Sequence, residues 1–442
     1  MQEAQGVMQQ AVERGYIGIG LLGVGVVGGG VADTLLAKGA QFAQRAGLPL
    51  KLTRALVRNV AKARSVELPP DLLTTDPRDV VASPDTDIVV EVLGGEEPAR
   101  RLILEALRAG KHVVTANKEV IAKHGPELLA AARQNNVDLR FEATVGAGIP
   151  IINALQNSLA ANEFSGIWAI INGTTNYMVT RMAAEGLDFQ TCLAEAQKLG
   201  YAEPDPTNDV EGIDAAYKLS ILASLAFGAH VRPEDVYREG ISKLHARDFR
   251  YAREMGYAIK LLAIAEAENG AIQARVHPVF LPEEMLLASV DGVFNAIQVQ
   301  GDLVGQMVFY GRGAGAKPTA SGLIGDVLDV AQAVRYGEKR RVAAVQSNGK
   351  RIAPIQELNT RYYFRIIAAD RPGVLAQISR VFGEHSISIA SVIQKETDEV
   401  AQTAELVILS HTSNEASVRK AVDEMRKLPV VEDIGSLIRV EV

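Results

Sequence analysis

The chain has a single cysteine, Cys192, among its 442 residues. No disulfide can therefore form within the chain, and we expect a reducing compartment, the cytoplasm. There is no long run of basic residues and the net charge is −7, so nucleic acid is not an expected partner. No apolar run approaches the roughly 20 residues that cross a membrane, and the polar stretch from Met1 to Gly15 is unlike a signal peptide.

Ligands for a transition metal are also scarce. The seven histidines are scattered, and no group of cysteines and histidines has the spacing of a metal site. Hydrophobic residues make up 48% of the chain, which is typical of a folded protein and argues against wholesale disorder. The length exceeds that of one typical core, so the sequence predicts two or three domains.

A glycine-rich turn near the N-terminus predicts a dinucleotide site. It follows a strand-like segment, Tyr16–Leu22, and precedes a helix-like one, Val31–Lys38, which is the context that the dinucleotide fingerprint requires. Gly23 permits a tight turn, Gly25 lets the backbone approach a pyrophosphate, and Gly28 allows the helix to pack closely on the strand. The predicted cofactor contacts are Gly23, Val24, Gly25, Val26, Val27 and Gly28.

The ends of two further predicted strands extend this site. Strand Lys51–Val57 ends at Arg58, where an acid would bind the ribose 2′-hydroxyl of NAD. A basic residue there favours the 2′-phosphate of NADP, and the alternative is a solvated surface arginine. Strand Lys111–Thr115 ends at the edge where doubly wound sheets bind cofactors, so Thr115 and Lys118 are predicted cofactor contacts. The alternative for Lys118 is a solvent-exposed lysine at the start of a helix.

The stretch from Gly200 to Phe227 is the strongest candidate for a substrate site. Pro204 and Pro206 predict a stiff loop in its first half, and the apolar second half predicts a helix. Asp214 and Lys218 are four residues apart and therefore share one face of that helix. The alternative is an ordinary surface ion pair. Acidic residues crowd the first half: Glu203, Asp205, Asp209, Glu211 and Asp214.

Three other loops are candidates for binding small ligands. The backbone carbonyls of Glu142–Pro150, with its glutamate, could collect a hard cation, and a plain turn is the alternative. The polar loop Asn172–Tyr177 leads into a helix and suits a carboxylate or carbonyl oxygen, unless its threonines only cap that helix. A second glycine-rich turn precedes the predicted helix Ser321–Val334, by which the chain returns to the cofactor domain with Gly315 near the nicotinamide.

The C-terminal residues, 361–442, predict a separate unit. Their pattern of strand, helix, strand, strand, helix and strand within about 80 residues is ferredoxin-like. The polar stretch 341–360 before it is a predicted linker.

Taken together, these motifs resemble homoserine dehydrogenases that carry a C-terminal ACT domain, over nearly the whole chain. The resemblance implies an α/β fold with a Rossmann-like dinucleotide-binding domain, an α+β catalytic and dimerisation domain, and a ferredoxin-like βαββαβ (ACT) domain. The implied ranges are 1–142 plus 318–340, 143–317 and 361–442. The matching motifs are Gly-Val-Gly-Val-Val-Gly at 23–28, Thr-Ala-Asn-Lys at 115–118, Glu-Ala-Thr-Val-Gly-Ala-Gly-Ile-Pro at 142–150, Asn-Gly-Thr-Thr-Asn-Tyr at 172–177, the run from Glu203 to Lys218, Gly-Arg-Gly-Ala-Gly at 311–315 and Asp-Arg-Pro-Gly-Val-Leu at 370–375.

The resemblance also implies an activity, which is the reversible NAD(P)H-dependent reduction of L-aspartate 4-semialdehyde to L-homoserine. This reaction belongs to threonine, methionine and isoleucine biosynthesis. The resemblance further implies feedback control through the ACT domain, with threonine as the effector, and a homodimer or homotetramer.

Particular residues take roles by the same resemblance. Lys218 matches the catalytic acid/base, and Lys118 matches a second active-site lysine. Gly200 and Gly315 match cofactor contacts at the nicotinamide side. The substrate-binding positions are Glu203, Asp214, Asp209, Tyr201, Thr174 and Gly173. A sodium-like monovalent cation is implied at Glu142, Val145, Ala147 and Ile149, mostly through backbone carbonyls.

Two other functions stay open from the sequence. Dehydrogenases of the phosphoglycerate or prephenate type also join a dinucleotide fold to an ACT-like tail, but they usually rely on a catalytic histidine. No histidine in this chain lies in a glycine-rich or acid-rich loop near the predicted cleft. The other function is that of an amino-acid sensor, and the simplest alternative for the tail is that it only dimerises the chain.

Overall fold

The structure, a computed structural model, describes residues 11–336, 349–398 and 402–441. Most of the polar leader and part of the predicted linker, 341–348, lie outside the described residues. The chain forms two compact units. The first unit takes the described residues of Met1–Ser165, Tyr217–Pro233 and Val299–Lys350, and the second unit takes those of Gly166–Ala216, Glu234–Gln298 and Arg351–Val442.

The N-terminal part of the chain alternates strands and helices. In chain order its elements are β1 (Ile17–Leu22), α1 (Val26–Ala37), α2 (Gly39–Ala46), β2 (Leu50–Leu56), β3 (Leu73–Thr74), α3 (Arg78–Val81), β4 (Ile88–Glu91), α4 (Ala99–Arg108), β5 (His112–Thr115), α5 (Lys118–Gln134), β6 (Leu139–Arg140) and α6 (Ile151–Asn153). A π-helical turn, Ala154–Ser158, continues α6.

The middle of the chain is helical at first and then mostly strands. Its elements are β7 (Phe164–Ile170), α7 (Gly173–Glu185), α8 (Phe189–Lys198), α9 (Thr207–Val210), α10 (Ile213–Phe227), β8 (Tyr237–Arg238), α11 (Ala246–Glu254), β9 (Tyr257–Glu268), β10 (Ala271–Pro282), β11 (Phe294–Gly301), β12 (Gly305–Arg312) and α12 (Ala316–Tyr336).

The C-terminal part has the predicted order of strands and helices. Its elements are β13 (Arg351–Ile352), β14 (Asn359–Ala369), α13 (Val374–Glu384), β15 (Ile389–Asp398), β16 (Thr403–Ser410), β17 (Ser413–Asn414), α14 (Glu415–Met425) and β18 (Val431–Val440). Strand β13 therefore lies within the stretch predicted as a linker.

A parallel sheet organises the first unit. Its strand order is β3–β2–β1–β4–β5–β6, which is the order of a dinucleotide-binding fold. Strands β1 and β4 are buried along their whole length, as expected for parallel strands that are covered on both faces. The order reverses between β1 and β4, so a ligand crevice is expected at the carboxyl ends of these strands.

Helix α12 completes the core of the first unit. Its Leu323, Val327 and Val330 are buried in one cluster with Ile19 of β1 and Val31 of α1. Helix α12 therefore packs in the same core as β1 and α1.

The first unit differs from the sequence prediction at the starts of two helices. Helix α1 begins at Val26 rather than Val31. The sequence pattern predicts a helix over Glu127–Gln134, but α5 already begins at Lys118. Pro126 lies inside α5, where a proline removes one intrahelical hydrogen bond. Burial of apolar residues on both sides of it, such as Ile121 and Leu128, offsets that loss.

The second unit is built on an antiparallel sheet that continues into the C-terminal part. Strand β9 pairs antiparallel with both β7 and β10. Strands β18, β14, β16 and β15 then follow in that spatial order, with antiparallel pairing throughout. Helices α13 and α14 cover this part and share a core that includes Phe364, Ile378 and Val422. The predicted βαββαβ unit is therefore confirmed.

The two parts of this sheet are joined by a short parallel pairing that the sequence did not predict. Val279 and Phe280 of β10 lie beside Arg439 and Val440 of β18. Strands β13 and β8 pair with earlier residues of β10 along its length. Three short segments therefore cover one strand edge.

Candidate active site

The glycine turn after β1 has the geometry that a dinucleotide requires. Gly23 has φ +108, which favours glycine. A Cβ atom added at Gly28 would lie 2.1 Å from the Gly23 carbonyl oxygen, whereas one added at Gly25 would meet nothing within 4 Å. The three glycines therefore serve the predicted purposes of turning, open approach and close packing. No acidic side chain lies in the first turn of α1, so its N-terminus keeps a partial positive charge for phosphate.

The other predicted cofactor contacts lie on loops of the first unit. Arg58 is exposed just after β2. Gly315 is exposed with φ +116, immediately before α12. Near this end of α12, a Cβ atom added at Gly30 of α1 would lie 3.3 Å from the Ala316 carbonyl oxygen. These positions fit a cofactor that lies along the glycine turn.

A buried carboxylate that is not among the predicted site residues holds the loops after β4 and β5. Glu91 is fully buried at the end of β4. It accepts hydrogen bonds from the Thr115 hydroxyl (2.6 Å) and the Leu93 amide (2.8 Å). Burial raises the pKa of Glu91, although these bonds act in the opposite direction. The Thr115 side chain is therefore occupied by the protein, so a cofactor contact at Thr115 would use its main chain.

Asn117 extends this network to Lys118. Its amide donates to the Thr115 hydroxyl (2.9 Å), and its side chain donates to the Gly95 carbonyl (2.8 Å) and accepts from the Val120 amide (3.2 Å). Asn117 thereby caps α5, and Lys118 is the half-buried first residue of that helix. An acid at the end of an otherwise apolar strand was the sequence signal for this network.

In the second unit, one asparagine joins two of the predicted substrate-binding acids. The Asn172 side chain donates to Asp209 (2.7 Å) and to Asp214 (2.9 Å). Its oxygen accepts from the Thr175 amide and so caps α7. The sequence predicts a binding loop at Asn172–Tyr177 but carries no signal for this role of Asn172. Asn172 fixes the two carboxylates relative to each other.

The remaining predicted substrate positions lie on neighbouring loops of this unit. The Thr174 hydroxyl donates to the Tyr201 carbonyl (2.6 Å), and the rings of Tyr177 and Tyr201 pack edge to face with centroids 5.1 Å apart. Gly200 has φ +75, and Glu203 is exposed. A Cβ atom added at Gly173 would lie 3.0 Å from the Val293 carbonyl, so glycine is needed there for close packing.

Helix α10 carries both Asp214 and Lys218, which are 5% and 8% exposed. The alternative of a surface ion pair is therefore wrong. The loop before this helix is not wholly irregular, because Thr207–Val210 forms α9.

The predicted cation loop is buried and partly committed to other contacts. The Glu142 carboxylate accepts from the Ile152 amide (2.8 Å) and the Asn153 amide (2.7 Å), so it caps α6. The positions implied for the cation are all buried: Glu142, Val145, Ala147 and Ile149. With the Glu142 carboxylate engaged, the groups that fit a monovalent cation are main-chain carbonyls. In the described part of the chain, no three or more His, Cys, Asp and Glu side chains are grouped as metal ligands.

No helix of the described ranges is long and apolar enough to cross a membrane.

Comparison with known protein families agrees with this geometry. Residues 23–142 match the NAD-binding domain of homoserine dehydrogenase, residues 150–328 match the homoserine dehydrogenase domain, and residues 362–430 match the ACT domain. The three matches follow one another in the order that the site and fold predict.

Comparison with individual proteins gives the same result. The chain is 46% identical over 393 residues to a homoserine dehydrogenase of Synechocystis sp., which covers 87% of this chain and 90% of that protein. A crystal structure of a homoserine dehydrogenase from Thiobacillus denitrificans is 45% identical, with a TM-score of 0.90 over 96% of this chain and 98% of that one. A hyperthermophilic archaeal homoserine dehydrogenase in complex with NADPH is 28% identical, with a TM-score of 0.61 over 74% of this chain and 100% of that one. The chain therefore belongs to the homoserine dehydrogenase family of NAD(P)-dependent oxidoreductases, and it carries an ACT domain.

Proposed function

We propose that Lys218 is the acid/base of a reversible, NADP-preferring reduction of L-aspartate 4-semialdehyde to L-homoserine. The observation that carries this role is the burial of Lys218 and Asp214 one turn apart on α10. The nicotinamide supplies the hydride when it is bound. Charge then develops on the substrate oxygen, and the Lys218 ammonium donates a proton to that atom. In the oxidation of homoserine, the neutral amine takes the proton back.

The other proposed roles follow the chemistry of each side chain. Lys118 places a positive charge near the developing oxyanion. Glu203, Asp209 and Asp214 bind the substrate ammonium, and the bonds from Asn172 to Asp209 and Asp214 support that grouping. Thr174, Gly173 and Tyr201 complete the substrate loops. Gly200 and Gly315 contact the nicotinamide side of the cofactor.

A preference for NADP rests on Arg58. The residue at this position after β2 is basic and exposed, so it can pair with a 2′-phosphate, whereas an acid would bind the 2′-hydroxyl of NAD. The expected result of replacing Arg58 with alanine is a higher KM for NADP and an unchanged KM for NAD. A parallel rise in both constants would contradict this preference.

The proton-transfer role is tested by homoserine oxidation at alkaline pH. Lys218→Ala should lower kcat by about 100-fold or more, the range for loss of a general acid or base. Lys218→Arg keeps the charge but cannot release its proton near neutral pH, so it should be equally inactive. Lys420→Ala, at an exposed position on α14, is the matched control. Turnover close to that of the wild type in Lys218→Arg would remove Lys218 from the mechanism.

A monovalent cation such as sodium is proposed at the carbonyls of Glu142, Val145, Ala147 and Ile149. Ala147 has φ +53, and its carbonyl faces Gly322 of α12, where an added Cβ atom would lie 2.5 Å away. Because a bound ion stabilises the folded state, sodium should raise the Tm of the wild type relative to choline. Gly322→Ala would displace the Ala147 carbonyl and should therefore reduce that rise. An equal Tm in both salts would exclude the site.

Regulation by an amino acid is proposed for the ACT domain, with threonine as the effector and a dimer or tetramer as the assembly. The turn before α13 supports a ligand site, because Gly373 has φ +86 and the exposed Asp370 accepts from Gln394 (3.4 Å). Threonine should inhibit the wild type, and Asp370→Ala should be less sensitive. Equal inhibition would place the effector elsewhere. Such control fits an enzyme of threonine, methionine and isoleucine biosynthesis.

A further inference from the structure

One carboxylate of the second unit, Glu239, lies between the ACT part and the acidic substrate loop. It follows β8 directly in the chain. Its Oε1 atom accepts from Arg419 of α14 (2.6 Å) and from Arg439 of β18 (3.3 Å). Both arginines belong to the C-terminal βαββαβ unit. Tyr237 also donates to this oxygen, so three donors converge on one atom.

The arginines themselves are fixed in place by a second carboxylate. Glu415, which is fully buried, accepts from Arg439 (2.6 Å) and from Arg419 (2.7 Å). Arg439 is 2% exposed. Burial alone would raise the pKa of Glu239, but the charge of Arg439, aided by His277 and by hydrogen bonds, lowers it to about 2. Glu239 is therefore charged and held at every physiological pH.

The main chain that follows Glu239 rests directly on the acidic loop. The Ile241 amide donates to the Val210 carbonyl (2.9 Å). A Cβ atom added at Gly240 would lie 2.2 Å from the same carbonyl oxygen and 2.7 Å from the Cα atom of Glu211. The backbone of Gly240 and Ile241 thus lies against Val210 with no room for a side chain.

Val210 stands directly after Asp209 and four residues before Asp214. These are the two carboxylates that Asn172 joins. A shift of Gly240 and Ile241 must therefore move the end of α9, and with it one or both acids. The contacts between Arg439 and Asp209 therefore pass through Glu239, through the backbone of Gly240 and Ile241, and through Val210.

We propose that Glu239 is a positioning residue through which the ACT part sets the placement of the substrate-binding acids Asp209 and Asp214. The proposal rests on the substrate role that the proposed function gives to these acids. Glu239 acts through the loop, so it should govern the binding of homoserine and leave the binding of cofactor alone. An effector that shifts α14 or β18 would reach the substrate site by this route.

Variants on each side of the contact test the proposal. Glu239→Gln and Arg419→Gln loosen the anchor, and Gly240→Ala pushes on Val210. Each should raise the KM for homoserine by about 5- to 20-fold, since weakening a hydrogen bond to a charged group costs roughly tenfold or more in affinity. The KM for NADP and kcat should stay within about twofold of the wild type, because neither depends on the placement of these acids. Arg426→Gln, at the exposed end of α14, is the matched control and should change nothing.

Hydrogen exchange of the Thr207–Gly212 amides gives a readout that does not need the substrate. Exchange there should be faster in Glu239→Gln than in the wild type, and Glu239→Asp should partly restore the slow rate. An unchanged exchange rate and an unchanged KM for homoserine would overturn the proposal. A fall in Tm and in active fraction with a constant KM would also overturn it, because that pattern is purely structural. If the wild type failed to oxidise homoserine, the proposed function would fail, and the exchange experiment would still decide the link.

Discussion

Two buried carboxylates of this chain, one in each unit, are held in different ways. In the first unit, Glu91 is held by a hydroxyl and a backbone amide, and burial raises its pKa. In the second unit, Glu415 is held by Arg419 and Arg439. Burial opposes the charge of Glu415 as well, but hydrogen bonding and charge from Arg439, with the charge of Arg419, lower its pKa.

The difference follows from what each carboxylate supports. Neutral donors around Glu91 order two loops at the edge of the parallel sheet without adding positive charge there. Arginines in the second unit join strands and helices that are far apart in the sequence, and their paired charges persist at all physiological pH values. Glu91 orders two loops through neutral donors. Glu415 fixes α14 and β18 relative to each other through charged arginines.

The largest effect on stability is expected when one partner of a buried ion pair is removed. Arg365 of β14 donates to Asp248 (2.7 Å) and to Glu405 (3.2 Å), and all three are buried. Arg365→Leu should lower the free energy of unfolding by about 3–5 kcal/mol, because two charges remain buried without it. Urea denaturation measures the change, with the exposed Arg371→Leu as control. A loss no larger than that of the control would mean that the contact of Arg365 with Asp248 and Glu405 does not depend on charge.

A smaller effect is expected from the carboxylate with neutral donors. Glu91→Ala should cost about 1–3 kcal/mol, the range for leaving buried donors unsatisfied. It should also raise the KM for NADP, because the loop it orders approaches the cofactor turn: an added Cβ atom at Gly23 would lie 3.0 Å from the Val92 carbonyl. Glu91→Gln should cause a smaller loss of stability and a smaller rise in the KM for NADP. A greater loss of stability than in Arg365→Leu would reverse the ranking of these two contacts.

The pH dependence of stability should separate the two kinds of carboxylate by sign. The pKa of Glu91 is raised in the folded state above 4.5, so the unfolded chain releases this proton first and the contribution of Glu91 falls as pH rises above about 4.5. The pKa of Glu239 is lowered to about 2, so its contribution is complete above about 4.5 and is lost as pH falls towards 2.

Urea denaturation from pH 3 to pH 7 checks both signs. The stability of the wild type relative to Glu91→Gln should fall as pH rises, and its stability relative to Glu239→Gln should fall as pH drops. Two curves with the same slope would remove the distinction between Glu91 and Glu239.

The smallest effect is expected from an ion pair on the surface. Arg100 pairs with Glu127 at 2.8 Å, and their side chains are 32% and 43% exposed. Because water screens such a pair, Arg100→Ala should change the free energy of unfolding less than any substitution above, as urea denaturation can measure. A loss comparable to that of Arg365→Leu would show that burial is not what distinguishes the pairs.

Much of the fold could be predicted from the sequence, because local signals specify it. The Gly23–Gly28 turn, the apolar runs of β1 and β4 and the C-terminal alternation of strands and helices are all contained within short segments. Helix starts were less certain. Val26 and Val27 lie within the glycine motif, so the sequence places them in the turn although they begin α1. Pro126 predicts a helix start, although it lies inside α5.

The site could be predicted only in part. Motif positions such as Lys218 and Asp214 were found, and their burial is consistent with the roles proposed for them. Asn172, Glu91 and Glu239 were missed, since each acts on partners that no spacing rule connects. Asn172 lies 37 and 42 residues from the two acids it joins, and Glu239 lies 200 residues from Arg439. Such contacts exist only once the sheets have formed.

The covered edge of β10 has a consequence for any shortened form of this protein. A bare strand edge offers unpaired amides and carbonyls to other chains and promotes aggregation. A chain cut near Leu358 would lose β18 and so uncover the backbone of Val279 and Phe280. We expect such a chain to precipitate rather than to become an unregulated enzyme. In this fold the ACT part therefore also protects the edge of β10 from self-association.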